Sequence, residues 1–202
     1  MATESNQVRN VMWHWLFRRD IDQLEAAYRS ARNPSDEIKA TLEREWAELE
    51  ELVRAGEASF YEEDESGQVV YDYGDRMSDR LHEVEAILKL VREAFTISLS
   101  HYWEREMNKR LKVNQYDEKK AITLLKSRGL FPDELGLKVL RLTSNVAKHS
   151  GGTSAQTLNT LRPGLFDQEA IASNDEQPDY TNLLLTDEIV AEFFEVVRKS
   201  GP

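Results

Sequence analysis

The sequence predicts an all-α fold: an antiparallel four- or five-helix bundle with an additional C-terminal helix and an acidic loop insertion. Three observations carry this. Apolar residues recur at steps of three and four along most of the chain, which is the period of a helix with one buried face. Glycine and proline, nine and five of 202 residues, fall between those runs. The stretch 76–112 contains neither of them.

Val8, Val11, Met12, Trp15, Leu24 and Tyr28 predict a first helix from about residue 7 to residue 31, ended by Asn33-Pro34. Ser35 is placed to cap a second helix, in which Ile38, Leu42, Trp46, Leu49 and Val53 form a stripe before Gly56. These two helices are expected to pair as an antiparallel hairpin over 1–56. Residues 57–75 hold seven acidic side chains, no basic ones and two glycines. That charge density predicts a mobile loop, with a short hairpin around Ser66-Gly67 as the alternative.

From Arg76 to Lys112, Met77, Leu81, Val84, Leu88, Val91, Phe95, Ser98 and Tyr102 keep a near-heptad spacing and predict one helix, which at about 1.5 Å per residue measures about 55 Å. A shorter helix over 117–128 stops at Gly129, and Pro132-Asp133 opens the next, which Gly151-Gly152 close. Residues 153–161 predict a short helix closed by Pro163-Gly164, and 172–182 read as loop. Thr186 is the expected cap of a last helix with Asp187 and Glu188 in its first turn and Arg198 and Lys199 in its last.

The length makes a single domain over 1–202 the default, with the bundle core over 76–165 and a loop and final helix over 166–202. The chain has no cysteine, which excludes disulfides, thiolate nucleophiles and thiolate zinc sites. No apolar run approaches the roughly 18 residues that a membrane span requires, and 1–10 has no signal-peptide pattern; a cytoplasmic protein without a membrane association is the expectation.

The net charge is −11. It is unevenly placed: residues 101–162 carry 12 Lys and Arg against 6 Asp and Glu, and the remainder carries 14 against 31. A general nucleic-acid coat is excluded, whereas an anionic partner on the positive part is not.

No phosphate-binding glycine loop, dinucleotide fingerprint, zinc-binding HExxH or nucleophile elbow is present, so no cofactor and no metal are expected. The segment His101-Tyr102-Trp103-Glu104 favours packing and intrahelical pairing, in which Arg105 and Lys109 take part. Trp13, Trp15 and Phe17 favour core or dimer packing over a base-stacking platform.

The strongest chemical constellation lies on the helix before Gly151. At about 100° per residue, Lys148, Arg141, Asn145, Lys138 and His149 share one edge within about 100°, beside the seam formed by Leu135, Val139, Leu142 and Val146. Arginine can hold a phosphate through two hydrogen bonds, an Asn amide can orient an oxygen, and histidine exchanges protons near neutral pH. Basic groups in a last turn also stabilise the helix end by themselves.

A helical chain with a long helix and a later helix ending Arg141…Asn145…Lys148-His149 resembles the HEPN superfamily, over roughly 76–165. Members occur in bacterial toxins, antiphage defence and RNA processing, and active ones join two Arg…His motifs across a dimer. Here seven residues separate Arg141 from His149, and Leu142 follows the arginine. The resemblance implies an RNA-directed protein of a bacterial defence or toxin–antitoxin type. It implies a homodimer and metal-independent ribonuclease chemistry on Arg141, Asn145 and His149, with RNA held by Lys138, Lys148, Arg105 and Lys109. The alternative is a non-catalytic helical module that binds a protein partner or serves a regulatory role.

Overall fold

The computed structural model describes residues 2–174 and 177–201, with side chains over 11–173 and 177–201. Among the described residues there are seven α-helices and one two-stranded sheet, which makes the chain an all-α helical bundle. It divides into two compact units, 1–28 with 92–202, and 29–91. Both boundaries fall inside long helices rather than at the acidic segment.

The first helix, α1, runs unbroken from Ala2 to Ala55 with Pro34 inside it, so the expected hairpin over 1–56 does not form. Pro34 removes one N–H from the ladder and crowds the preceding turn, at a cost of about 3 kcal/mol in an ordinary helix. Arg32 and Asp36 bridge the proline, with Nε donating to Oδ2 at 2.8 Å and Nη2 to Oδ1 at 3.2 Å. Ser35 is buried within the helix instead of capping a new one.

In the unit 29–91, α1 packs through Leu42 against Val84 and Leu88 of α2 (Tyr73–Leu111), with Met77 and Leu81 beside them. Between the helices, β1 (Tyr61–Glu63) pairs antiparallel with β2 (Val69–Asp72), where a mobile loop was expected. Its turn is built on Asp64, whose Oδ1 accepts from the Ser66 and Gln68 amides at 2.8 and 3.0 Å, while Gly67 takes φ 79°. The Ser66 hydroxyl, which donates to the same oxygen at 2.6 Å, and these two amides hold the Asp64 carboxyl below its ordinary range. Trp46 stacks on Phe60 at 5.3 Å, supplying the hairpin with an apolar base. Asp72 Oδ1 then accepts from Gly74 and Asp75 amides, which starts α2 three residues before Arg76.

In the unit 1–28 with 92–202, the remaining helices are α3 (Glu118–Ser127), α4 (Glu134–His149), α5 (Thr153–Leu161), α6 (Gln168–Asn174) and α7 (Asp187–Ser200). The core face of α1 is Trp13, Phe17, Ile21 and Tyr28, all buried. Val11, Met12 and Trp15, expected on that face, are 70%, 56% and 59% exposed, and Val8 lies outside the described side chains. Both stripes have helical spacing, and the contacts of Phe17 with α2 mark the one that is covered. Phe17 meets the rings of Tyr102 and Trp103 at 5.6 and 6.3 Å, and Tyr102 Oη donates to the Phe17 carbonyl at 3.1 Å.

Helix α4 packs on α5 and α7. Asp133 caps it, accepting from Gly136 N at 2.8 Å, and Ser150 ends it in the left-handed region at φ 66°, ahead of Gly151. Asp117 and Thr186 cap α3 and α7 in the same manner. No helix of the described residues is long and apolar enough to cross a membrane.

Candidate functional site

The late part of α2 carries a cationic face. His101, Arg105, Lys109 and Lys112 follow one another at steps of four, four and three, which keeps them within about 80° of the helix circumference. With Glu104, Asn108, Val113 and Asn114 they line an open cleft of about 610 Å³. The helix ends there because Lys112 adopts φ 56° and Val113 N donates back to the Asn108 carbonyl at 3.2 Å. Both features fit a helix C-terminus, where basic side chains also complement the helix dipole.

Two of these cations are partly engaged. The Arg105 guanidinium lies 5.7 Å from the centre of the Tyr102 ring. Lys109 pairs with the carboxylate of Glu106, a residue that is itself buried. Arg105 and Lys109 nonetheless remain exposed.

Helix α4 joins this face at one point: Lys148 Nζ lies 3.3 Å from His101 Nε2. An ammonium has only donors, so the contact requires an unprotonated Nε2 on His101. His149, the next residue, is exposed. The end of α4 therefore meets the late part of α2 at Lys148 and His101.

The other members of the α4 constellation lie apart from the cleft. Arg141 is half-buried and reaches Glu118 of α3, Nη2 to Oε2, at 3.0 Å. Its Nε is buried and has no hydrogen-bond partner among the described residues. Beside it, Tyr116 Oη accepts from Trp103 Nε1 at 2.9 Å, and burial pushes the Tyr116 hydroxyl up to about 12. Asn145 and Lys138 are half-buried on α4, and neither lines the cleft.

Thus the structure brings Lys148 to His101, which lines the cleft with Arg105 and Lys109, and leaves His149 exposed on α4. It turns Arg141 toward a carboxylate. His101, Asn108, Lys112 and Asn114 are lining residues that sequence reasoning missed. The four- and three-residue recurrence of His101, Arg105, Lys109 and Lys112 was the available signal. Among the described residues no three His, Asp or Glu side chains gather in a way that could hold a metal ion. Comparison with protein-family models, with curated proteins and with solved structures found no match to this chain.

Proposed function

We propose that this protein is an RNA-directed, HEPN-like protein of a bacterial defence or toxin–antitoxin type, which holds RNA phosphates on the late α2 face and the end of α4. The observation that carries this reading is the contact between Lys148 and His101, which joins the end of α4 to the α2 face that holds Arg105, Lys109 and Lys112. The excess of Lys and Arg over 101–162 supports it, four of the twelve being Arg105, Lys109, Lys112 and Lys148. Lysine and arginine in an open cleft bind phosphates without reading sequence, and such binding weakens steeply with salt as counterions are released.

The same surface supplies the groups for metal-independent cleavage. The 2′-hydroxyl attacks its neighbouring phosphorus as His149 takes the hydroxyl proton, and the P–O5′ bond breaks with that proton returned from the imidazolium to the departing 5′-oxygen. Lys148 stabilises the charge that develops on the phosphoryl oxygens. The products are a 2′,3′-cyclic phosphate and a 5′-hydroxyl. Arg141 and Asn145 support the geometry of α4 in this reading, and Arg141 contacts RNA only when it leaves Glu118. A homodimer would place two such surfaces on one assembly.

The test is binding of single-stranded RNA to the full chain as a function of salt, with Arg105→Ala and Lys148→Ala. Each variant is expected to weaken binding across sequences and to flatten the salt dependence. Cleavage in EDTA that leaves cyclic phosphate ends and is lost in His149→Ala supports the catalytic part. RNA affinity absent even at low salt overturns the proposal and favours a protein-binding module, for which Phe131 and Leu135, 89% and 59% exposed, are the apolar candidates.

A further inference from the structure

Two more depressions adjoin the cleft, both within the same unit. One, of about 530 Å³, shares His101 and Arg105 with it and extends to Ser98 on α2 and Gln23 on α1. The other, of about 520 Å³, shares Gln23 and continues along α1 to Arg18, Arg19 and Trp15. Shared lining residues thus link the exposed indole to Lys112, through Gln23 and then through His101 and Arg105.

Trp15 is unlike the buried tryptophans of this unit. Trp13 and Trp103 are each 3% exposed, whereas Trp15 is 59% exposed and carries the Arg19 guanidinium 5.0 Å from its ring centre. His14 and Arg18 are exposed on either side of it in the groove. Two carboxylates of these grooves are paired: Asp20 accepts from Arg19 at 2.7 Å, and Asp22 accepts from Arg198 at 3.0 Å, an arginine shared with Glu25 and Glu195. An exposed aromatic ring flanked by cations at the head of a cationic groove is the arrangement that holds a single strand, by stacking a base and tracking its backbone. A duplex hides its base faces and cannot use the ring.

Resting on the RNA-binding reading above, we infer that Trp15 is a base-stacking platform and that the ligand is a single strand. The strand runs from Trp15 past Gln23 and His101 to the Lys109–Lys112 end. Every base has a π-face, so recognition at Trp15 is tolerant of sequence. Arg18 and Arg19 take the phosphates nearest the stacked base.

The probe is an oligouridylate, with a blunt RNA duplex of the same length as the comparison, each titrated into the full chain at low salt. Trp15→Ala is expected to weaken oligouridylate binding about ten-fold, Trp15→Phe to restore most of it, and duplex binding to be unchanged by either. Quenching of tryptophan emission by oligouridylate is expected to fall in Trp15→Phe although the strand still binds. Wild-type affinity for oligouridylate in Trp15→Ala overturns the platform and leaves the phosphate surface standing. Equal losses for strand and duplex overturn it as well. Self-association that disappears in Trp15→Ala, with RNA affinity unchanged, reassigns the indole to a protein contact. Wild-type protein that binds neither RNA overturns both this inference and the reading on which it rests.

Discussion

Arg141 Nη2 lies 3.0 Å from Glu118 Oε2, so the arginine that the sequence singles out for phosphate binding already has an anionic partner within the chain. Both side chains are about one-third exposed, and a pair of that kind contributes about 0–1 kcal/mol to stability. The contact is therefore weak enough to be exchanged for a stronger anion without unfolding α3 or α4.

Glu118→Gln is expected to leave the unfolding free energy from urea denaturation within about 1 kcal/mol of wild type and to increase affinity for single-stranded RNA at low salt, because it frees the Arg141 guanidinium. The double variant Glu118→Gln with Arg141→Ala is expected to lose that gain. Filter-binding titrations of the three proteins check both statements, and an unchanged affinity in Glu118→Gln would confine Arg141 to a structural role.

Gly136 sits in the first turn of α4, where alanine would ordinarily stabilise a helix by about 1 kcal/mol. Here a Cβ would stand 2.7 Å from Val196 Cγ2 on α7 and 2.6 Å from Asp133 Oδ2, the cap carboxylate. The sign therefore reverses. Gly136→Ala is expected to destabilise the protein by about 1–3 kcal/mol, read from chemical denaturation. Val196→Ala in the same chain is expected to recover part of the loss.

Arg92 holds Asp187 at the start of α7 with two hydrogen bonds of 3.0 Å, and the Tyr28 hydroxyl donates to the same carboxylate. The pair is 14% and 21% exposed, so removing one member takes two charge-assisted hydrogen bonds from a site with little water. Arg92→Met is expected to cost about 3 kcal/mol, and Arg92→Met with Asp187→Asn less than the sum of the two singles. Denaturation curves for the four proteins in the cycle measure the coupling.

Burial raises the hydroxyls of Tyr102 and Tyr116 above their ordinary value of 10.0, Tyr116 to about 12 against the opposing hydrogen bond from Trp103. A raised value in the folded state means that folding holds the proton. The associated stability is complete below about pH 10 and is lost as pH rises through the folded values. Stability is expected to fall between about pH 10 and 12, less steeply in Tyr116→Phe, and absorbance at those pH values should show these tyrosines ionising after the exposed ones.

Much of the local structure was legible because it rests on short-range chemistry. Asp117, Asp133 and Thr186 cap the helices that follow them, as their small acceptor side chains dictate. The expected break at Pro34 does not occur, α1 continuing through it with Arg32 and Asp36 paired across the proline, and the acidic segment became a hairpin because Asp64 builds its turn and Phe60 finds Trp46. The site was legible in its residue types but not in its membership. Spacing put Arg141 beside His149 on α4, and only packing against α3 gave Arg141 its carboxylate.

The sequence by itself determined the all-α class, the extents of α2 to α5 and α7 to within a few residues, and the concentration of positive charge in 101–162, since periodicity, caps and charge are properties of neighbours along the chain. Tertiary structure alone decided which of two apolar stripes on α1 is buried, leaving Trp15 in solvent. It alone placed Lys148 of α4 against His101 of α2, residues 47 positions apart. The physical reason is common to both: a helical period fixes which residues share a face, but the partner that covers that face comes from distant parts of the chain.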